Sequence, residues 1–100
     1  MHVDLRKKDL ETLRGIFKRF PSVRSVRVFG SRATGGARRA SDIDIAVSAP
    51  QMTDREWSDI REALTTAPFI YGLDIIRLET LADEKLRDRI DAEGVVVYTR

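Results

Sequence analysis

Gly30-Ser31 is followed, after ten intervening residues, by Asp42-Ile43-Asp44, which sets a small-residue turn at a fixed distance from two alternating carboxylates. Side chains two apart on a strand share a face, with their Cα atoms about 6.5 Å apart, so Asp42 and Asp44 point together. A third acid, Asp74, sits in the apolar run 69–76, where an aspartate is out of place unless something compensates its charge. If its strand pairs beside theirs, about 4.8 Å away, three carboxylates converge on a pocket sized for two divalent ions about 3.5 to 4 Å apart. Like charges at that separation repel by about 4 kcal/mol at an effective dielectric near 20, so a proton or a cation must relieve the cluster. The chain has no cysteine, and its one histidine is His2, beside the N-terminus. Hard oxygen donors of this kind favour Mg²⁺ or Mn²⁺ over zinc. Gly30 and Ser31 complement the acids, because a glycine after a strand lets backbone N–H groups approach a phosphate and the hydroxyl adds a donor. The chemistry suggested is metal-assisted phosphoryl or nucleotidyl transfer.

Blander readings exist for each part. A Gly-Ser pair alone is more often a tight turn, and Asp42 after Ser41 has the form of an Asx turn. Neither accounts for Asp74 flanked by Leu73, Ile75 and Ile76. Arg24, Arg27, Arg32, Arg38 and Arg39 cluster around the turn in sequence and suit a triphosphate, or else line a solvated loop. Asp54, Asp59, Asp83, Asp88 and Asp91 fall on expected helices as caps or solvated faces.

The elements that must position these residues follow from periodicity. Between Leu5 and Phe20, apolar residues at Leu10, Leu13, Phe17 and Phe20 predict a helix packed on a sheet, broken by Pro21. Val23 to Phe29 reads as a strand ending at Gly30, and Asp42 to Val47 as a second strand with Ile43, Ile45 and Val47 on the core side. Thr53-Asp-Arg-Glu56 has the form of a capping box, and Trp57, Ile60, Leu64 and Ala67 continue its helix to Pro68. Trp57 reads as a core residue. Phe69 to Ile76 predicts a strand buried on both sides. Leu81 to Ala92 predicts a last helix with Ala82, Leu86 and Ile90 inward and Gly94 in a left-handed C-terminal cap, before a final strand from Val95 to Tyr98. The succession predicts one α/β or α+β domain over residues 1–100, with a sheet of about four strands flanked by helices.

With 100 residues, the chain has the size of one domain without a second substrate-binding lobe, so the surface that selects the acceptor is expected on another molecule. Its 18 Lys and Arg nearly balance 16 Asp and Glu, for a net charge of +2, which argues against direct nucleic-acid binding. No apolar run is long enough to span a membrane and none follows the charged N-terminus as in a signal peptide, so a cytoplasmic address is the default.

The string Gly30-Ser-Arg-Ala, with Ser41-Asp-Ile-Asp-Ile45 and Asp74, resembles the DNA polymerase β-like nucleotidyltransferase superfamily, and within it the minimal nucleotidyltransferases or MntA-type antitoxins. The ending from Leu86 to Tyr98 is similar to that group as well, while Thr34 stands where an arginine or lysine is frequent. The resemblance implies a mixed sheet in a polymerase β-like fold, with ATP as substrate and two Mg²⁺ ions. It implies that Asp42 and Asp44 hold both metals. It gives Asp74 the catalytic metal and a share in taking the acceptor's proton. It also implies that Gly30 and Ser31 fix the β and γ phosphates, with Arg32 adding charge at the pyrophosphate. The partner it implies is a HEPN-domain ribonuclease toxin, neutralised by AMPylation of a tyrosine in a type VII toxin–antitoxin pair. A binding-only antitoxin, and nucleotidyl transfer to a small molecule or RNA, are the competing expectations.

Overall fold

The computed structural model describes residues 3–35 and 42–100, and the expectations for His2, Arg38, Arg39 and Ser41 lie outside them. The order is α1 (Lys7–Lys18), β1 (Ser25–Phe29), α2 (Ser31–Thr34), β2 (Ile43–Ser48), α3 (Asp54–Thr66), β3 (Leu73–Arg77), a 3₁₀ turn (Leu78–Thr80), α4 (Glu84–Glu93) and β4 (Val95–Thr99). The strands form one sheet in the order β3-β2-β1-β4. β1 runs antiparallel to both β2 and β4, whereas β2 and β3 are parallel, so the sheet is mixed.

The two faces of the sheet divide the work. Val26 and Val28 of β1 and Ile43, Ile45 and Val47 of β2 are fully buried on one face. They pack against Leu13, Ile16 and Phe17 of α1 and Ile60 and Leu64 of α3, forming the main core. Trp57 is partly buried against the same cluster, as a core residue should be. On the other face a smaller cluster gathers Phe29, Ala46 and Ile90, with Ile76, Leu81 and Leu86 against it. This second face, covered by α4 and the 3₁₀ turn, is the one that carries Asp44, because Phe29 pairs with Asp44 across the strands.

The Thr53-x-x-Glu56 capping box is present in both directions. The Glu56 amide donates to the Thr53 hydroxyl at 3.1 Å and the Thr53 amide to Glu56 Oε1 at 3.1 Å. Ser22 also donates to Glu56, at 2.9 Å, which ties the start of α3 to the turn before β1.

Three expectations are corrected. The run 69–76 is not a strand buried on both sides: β3 begins at Leu73, pairs with β2 alone, and stands at the sheet edge. Ile70, in the loop before it, is 73% exposed. The apolar character of this run serves the approach to the edge, with Phe69, Tyr71, Leu73 and Ile75 partly buried on the main core. The last helix starts at Glu84, three residues later than Leu81, because the Asp83 side chain caps it by accepting from the Leu86 amide at 3.1 Å. Ala82 is therefore outside the helix and exposed. Gly94 closes that helix with φ −66° and ψ 139°, an ordinary extended conformation. Glycine is needed there for closeness: a Cβ would collide with the Ile90 carbonyl and meet Arg27 Cδ at 3.2 Å.

Candidate active site

The parallel pairing of β2 and β3 sets Asp44 directly opposite Asp74, with Ile43 opposite Leu73. The antiparallel pairing of β1 and β2 sets Phe29 opposite Asp44 on the other side. One cross-strand row therefore runs Asp74, Asp44, Phe29, and Gly30 follows immediately at the end of β1. Asp74 is exposed at the sheet edge, Asp44 is partly buried, and Asp42 is exposed just before β2.

Gly30 turns the chain from β1 into α2 with φ +71° and ψ −153°, a region open in practice only to glycine. The residue type is required a second time by proximity, since a Cβ here would run into the Asp44 carboxylate. The Gly30 carbonyl accepts from the Ala33 and Thr34 amides at 3.0 and 3.1 Å, which holds the turn closed over Ser31. Thr34, the residue that departs from the family pattern, donates its hydroxyl to the same carbonyl at 3.3 Å. Gly72 makes the same kind of approach to another acid, because a Cβ there would lie 2.6 Å from Asp42 Oδ1. Its carbonyl accepts from the Ile43 amide at 2.9 Å. Sequence reasoning missed Gly72; the glycine just ahead of the strand bearing the third acid was the available signal.

Arg32 is 5% exposed. Its Nη1 donates to the Asp4 carbonyl at 2.8 Å, while the Asp4 amide donates to the Arg32 carbonyl at 2.8 Å. The guanidinium lies 4.1 Å from the centroid of the Tyr71 ring. Arg32 thus fastens the turn to the N-terminal segment and to the loop containing Gly72. Of the other arginines near the turn in sequence, Arg27 is paired with Asp91 at 3.1 Å on α4. Arg24 stands at the far end of β1, where its amide donates to the Ser48 carbonyl at 2.8 Å.

Burial pushes the Asp44 carboxyl above its ordinary range, and the charges of Asp74 and Asp42 push it further, against a smaller opposing pull from Arg89. Asp44 therefore feels both other acids. Yet among the described residues no group of three Asp, Glu, His or Cys side chains is drawn together tightly enough to hold a metal ion as it stands. The register brings Asp44 and Asp74 together, while Asp42 stands exposed just ahead of β2. A donor set of carboxylates alone, each raising the cost of ionising the next, matches a hard divalent cation.

A strand, a glycine turn into a short helix, and a returning strand with paired acids define the nucleotidyltransferase class of fold. The family model described as polymerase beta, nucleotidyltransferase matches residues 11–100, and the chain belongs to that family. The fold is shared with solved toxin–antitoxin structures. A toxin–antitoxin complex with AMP-PNP superposes with a TM-score of 0.74 at 22% identity, over 92% of this chain and 74% of that one. A MntA-HepT toxin–antitoxin structure gives 0.63 at 20% identity, over 95% and 74%. The complex of a tri-AMPylated Shewanella oneidensis HEPN toxin with its MNT antitoxin gives 0.55 at 23% identity, over 93% and 68%. No curated protein matches. Among the described residues, no helix is long and apolar enough to cross a membrane.

Proposed function

We propose that this chain transfers AMP from ATP to a hydroxyl, that of a tyrosine, on a HEPN-family toxin, and acts as the antitoxin of the pair. The observation that carries the chemistry is the row Asp74-Asp44 beside the Gly30 turn, in a chain of the polymerase beta nucleotidyltransferase family. The partner reading is supported by the fold shared with MntA and MNT antitoxins that are found together with HEPN or HepT toxins.

Asp42 and Asp44 would hold two Mg²⁺ ions, with Asp74 a further ligand to one of them. Bound there, the ions would offset the negative charge of the triphosphate and of the attacking oxygen. Gly30 and Ser31 bind the β and γ phosphates at the turn, and Arg32 adds positive charge toward the pyrophosphate. This holds the α phosphorus in line with the acceptor. Asp74, exposed at the edge strand, takes the proton as the hydroxyl oxygen bonds to the α phosphorus. The bond from that phosphorus to the bridging oxygen breaks, pyrophosphate leaves with the electron pair, and AMP stays on the acceptor.

Incubating the purified chain and its HEPN partner with labelled ATP and Mg²⁺ should label the partner. Asp44→Asn should abolish the label while the two proteins still associate. Toxin neutralisation that survives Asp44→Asn undiminished would instead establish a binding-only antitoxin.

A further inference from the structure

Tyr71 links the loop beside Asp42 to the Gly30 turn. Its neighbour Gly72 lies so near Asp42 that a Cβ would stand 2.6 Å from Oδ1, and the Gly72 carbonyl accepts from the Ile43 amide at 2.9 Å. The backbone at Tyr71 is thereby rooted at the start of β2, on the side of the acids. The ring reaches the other half of the site, because the Arg32 guanidinium lies 4.1 Å from its centroid, within cation–π contact. Arg6, just ahead of α1, lies 5.8 Å from the same centroid. Asp9 offsets that second charge: it is 1% exposed and accepts from Arg6 Nε and Nη2 at 3.0 and 2.9 Å.

An aromatic ring beside a core is ordinarily read as filling. Tyr71 is half-buried, and with Leu64, Phe69 and Leu73 it borders a cavity of about 210 Å³, so it is not closely packed on that side. Against it lies a guanidinium that is itself 5% exposed. A guanidinium carries its N–H donors in its own plane, so a ring contact holds it without taking up a hydrogen bond. One of those donors bonds the Asp4 carbonyl at 2.8 Å. The ring therefore sets where Arg32, and with it the α2 turn, can sit.

We propose that Tyr71 is a positioning residue for the triphosphate: through Arg32 it fixes the Gly30 turn at a set distance from Asp42 and Asp44, so that phosphates at the turn meet cations at the acids. The proposal rests on the nucleotidyl-transfer reading. Equilibrium titrations with AMP-PNP and Mg²⁺, and separately with AMP, on the wild-type chain, Tyr71→Phe and Tyr71→Leu test it. Tyr71→Leu should weaken AMP-PNP binding about 10-fold, the size of a desolvated cation–π contact. Its binding of AMP, which has no β or γ phosphate, should stay unchanged. Tyr71→Phe keeps the ring and should bind both nucleotides as the wild type does. Equal AMP-PNP affinity for Tyr71→Leu and wild type overturns the assignment of Tyr71 and leaves the nucleotidyl-transfer reading standing. Tyr71→Phe as weak as Tyr71→Leu overturns it too, because the hydroxyl and not the ring face would then matter. Equal weakening toward both nucleotides, or a Tyr71→Leu chain that no longer melts cooperatively, overturns it as well, since the ring would then be holding the fold. No triphosphate binding by the wild-type chain overturns both readings.

Discussion

At the residue scale, two glycines matter as much as the acids. Gly30 and Gly72 each leave room for one carboxylate, Asp44 and Asp42 respectively, which a Cβ at either place would force to move. Gly72 has no positive φ, so Gly72→Ala tests proximity without backbone strain. It should displace Asp42 and lower Mg²⁺-dependent transfer by at least about 10-fold, equivalent to about 1.4 kcal/mol, with little change in Tm. Steady-state rates against Mg²⁺ concentration would show the loss as a weakened metal dependence. Asp44 carries the opposite trade. Its folded carboxyl titrates above the ordinary 3.8, so its ionised form costs stability above the folded value, and that cost fades as pH falls through it. Without divalent ions, Asp44→Asn should therefore melt higher than wild type at pH 7, and the gap should close in acid. Transfer by the same variant should fall by on the order of 10³-fold, since charge stabilisation by a bound metal contributes several kcal/mol. Thermal melts at the two pH values check the first statement; a variant no more stable than wild type at pH 7 would deny that burial and the neighbouring acids disfavour the ionised Asp44.

At the scale of elements, sequence signals that act over a few residues were readable and those set by tertiary approach were not. The Thr53-Glu56 capping box was legible because its donors and acceptors lie within one turn. The pairing of Asp44 with Asp74 follows from two strand-forming runs that the sequence marks, whereas Asp42 falls just ahead of β2. Gly94 was misread, since its role comes from close approach to the Ile90 carbonyl and to Arg27 rather than from a left-handed backbone. The extent of β3 was misread because an apolar run does not say whether a strand lies inside a sheet or at its edge. The capping box also makes a stability prediction. Hydrogen bonds from Thr53 and Ser22 hold Glu56 below the ordinary 4.5, so its contribution is present above that value and is lost as pH falls through the folded one. Thr53→Ala should cost about 1 kcal/mol at pH 7 by chemical denaturation. Glu56→Gln should be less stable than wild type at neutral pH and converge with it in acid.

At the scale of the whole molecule, one face of the β3-β2-β1-β4 sheet carries the main core and the other carries Asp44. α1 and α3 seal the first face, while α4 covers the part of the second around Phe29, Ala46 and Ile76. The acids stand at the far end of that second face, with Asp74 exposed on an edge strand and Asp42 exposed beside it. Such an open row can be approached by a hydroxyl on the surface of another folded protein, in keeping with a protein acceptor. The central claim is that AMP passes from ATP to that partner through these acids. Intact mass spectrometry of the HEPN partner, co-expressed with either the wild-type chain or its Asp44→Asn variant, tests this most directly. The account predicts one or more added AMP groups on a partner tyrosine with the wild-type chain and none with the variant; an unmodified partner, neutralised equally by both, would contradict it.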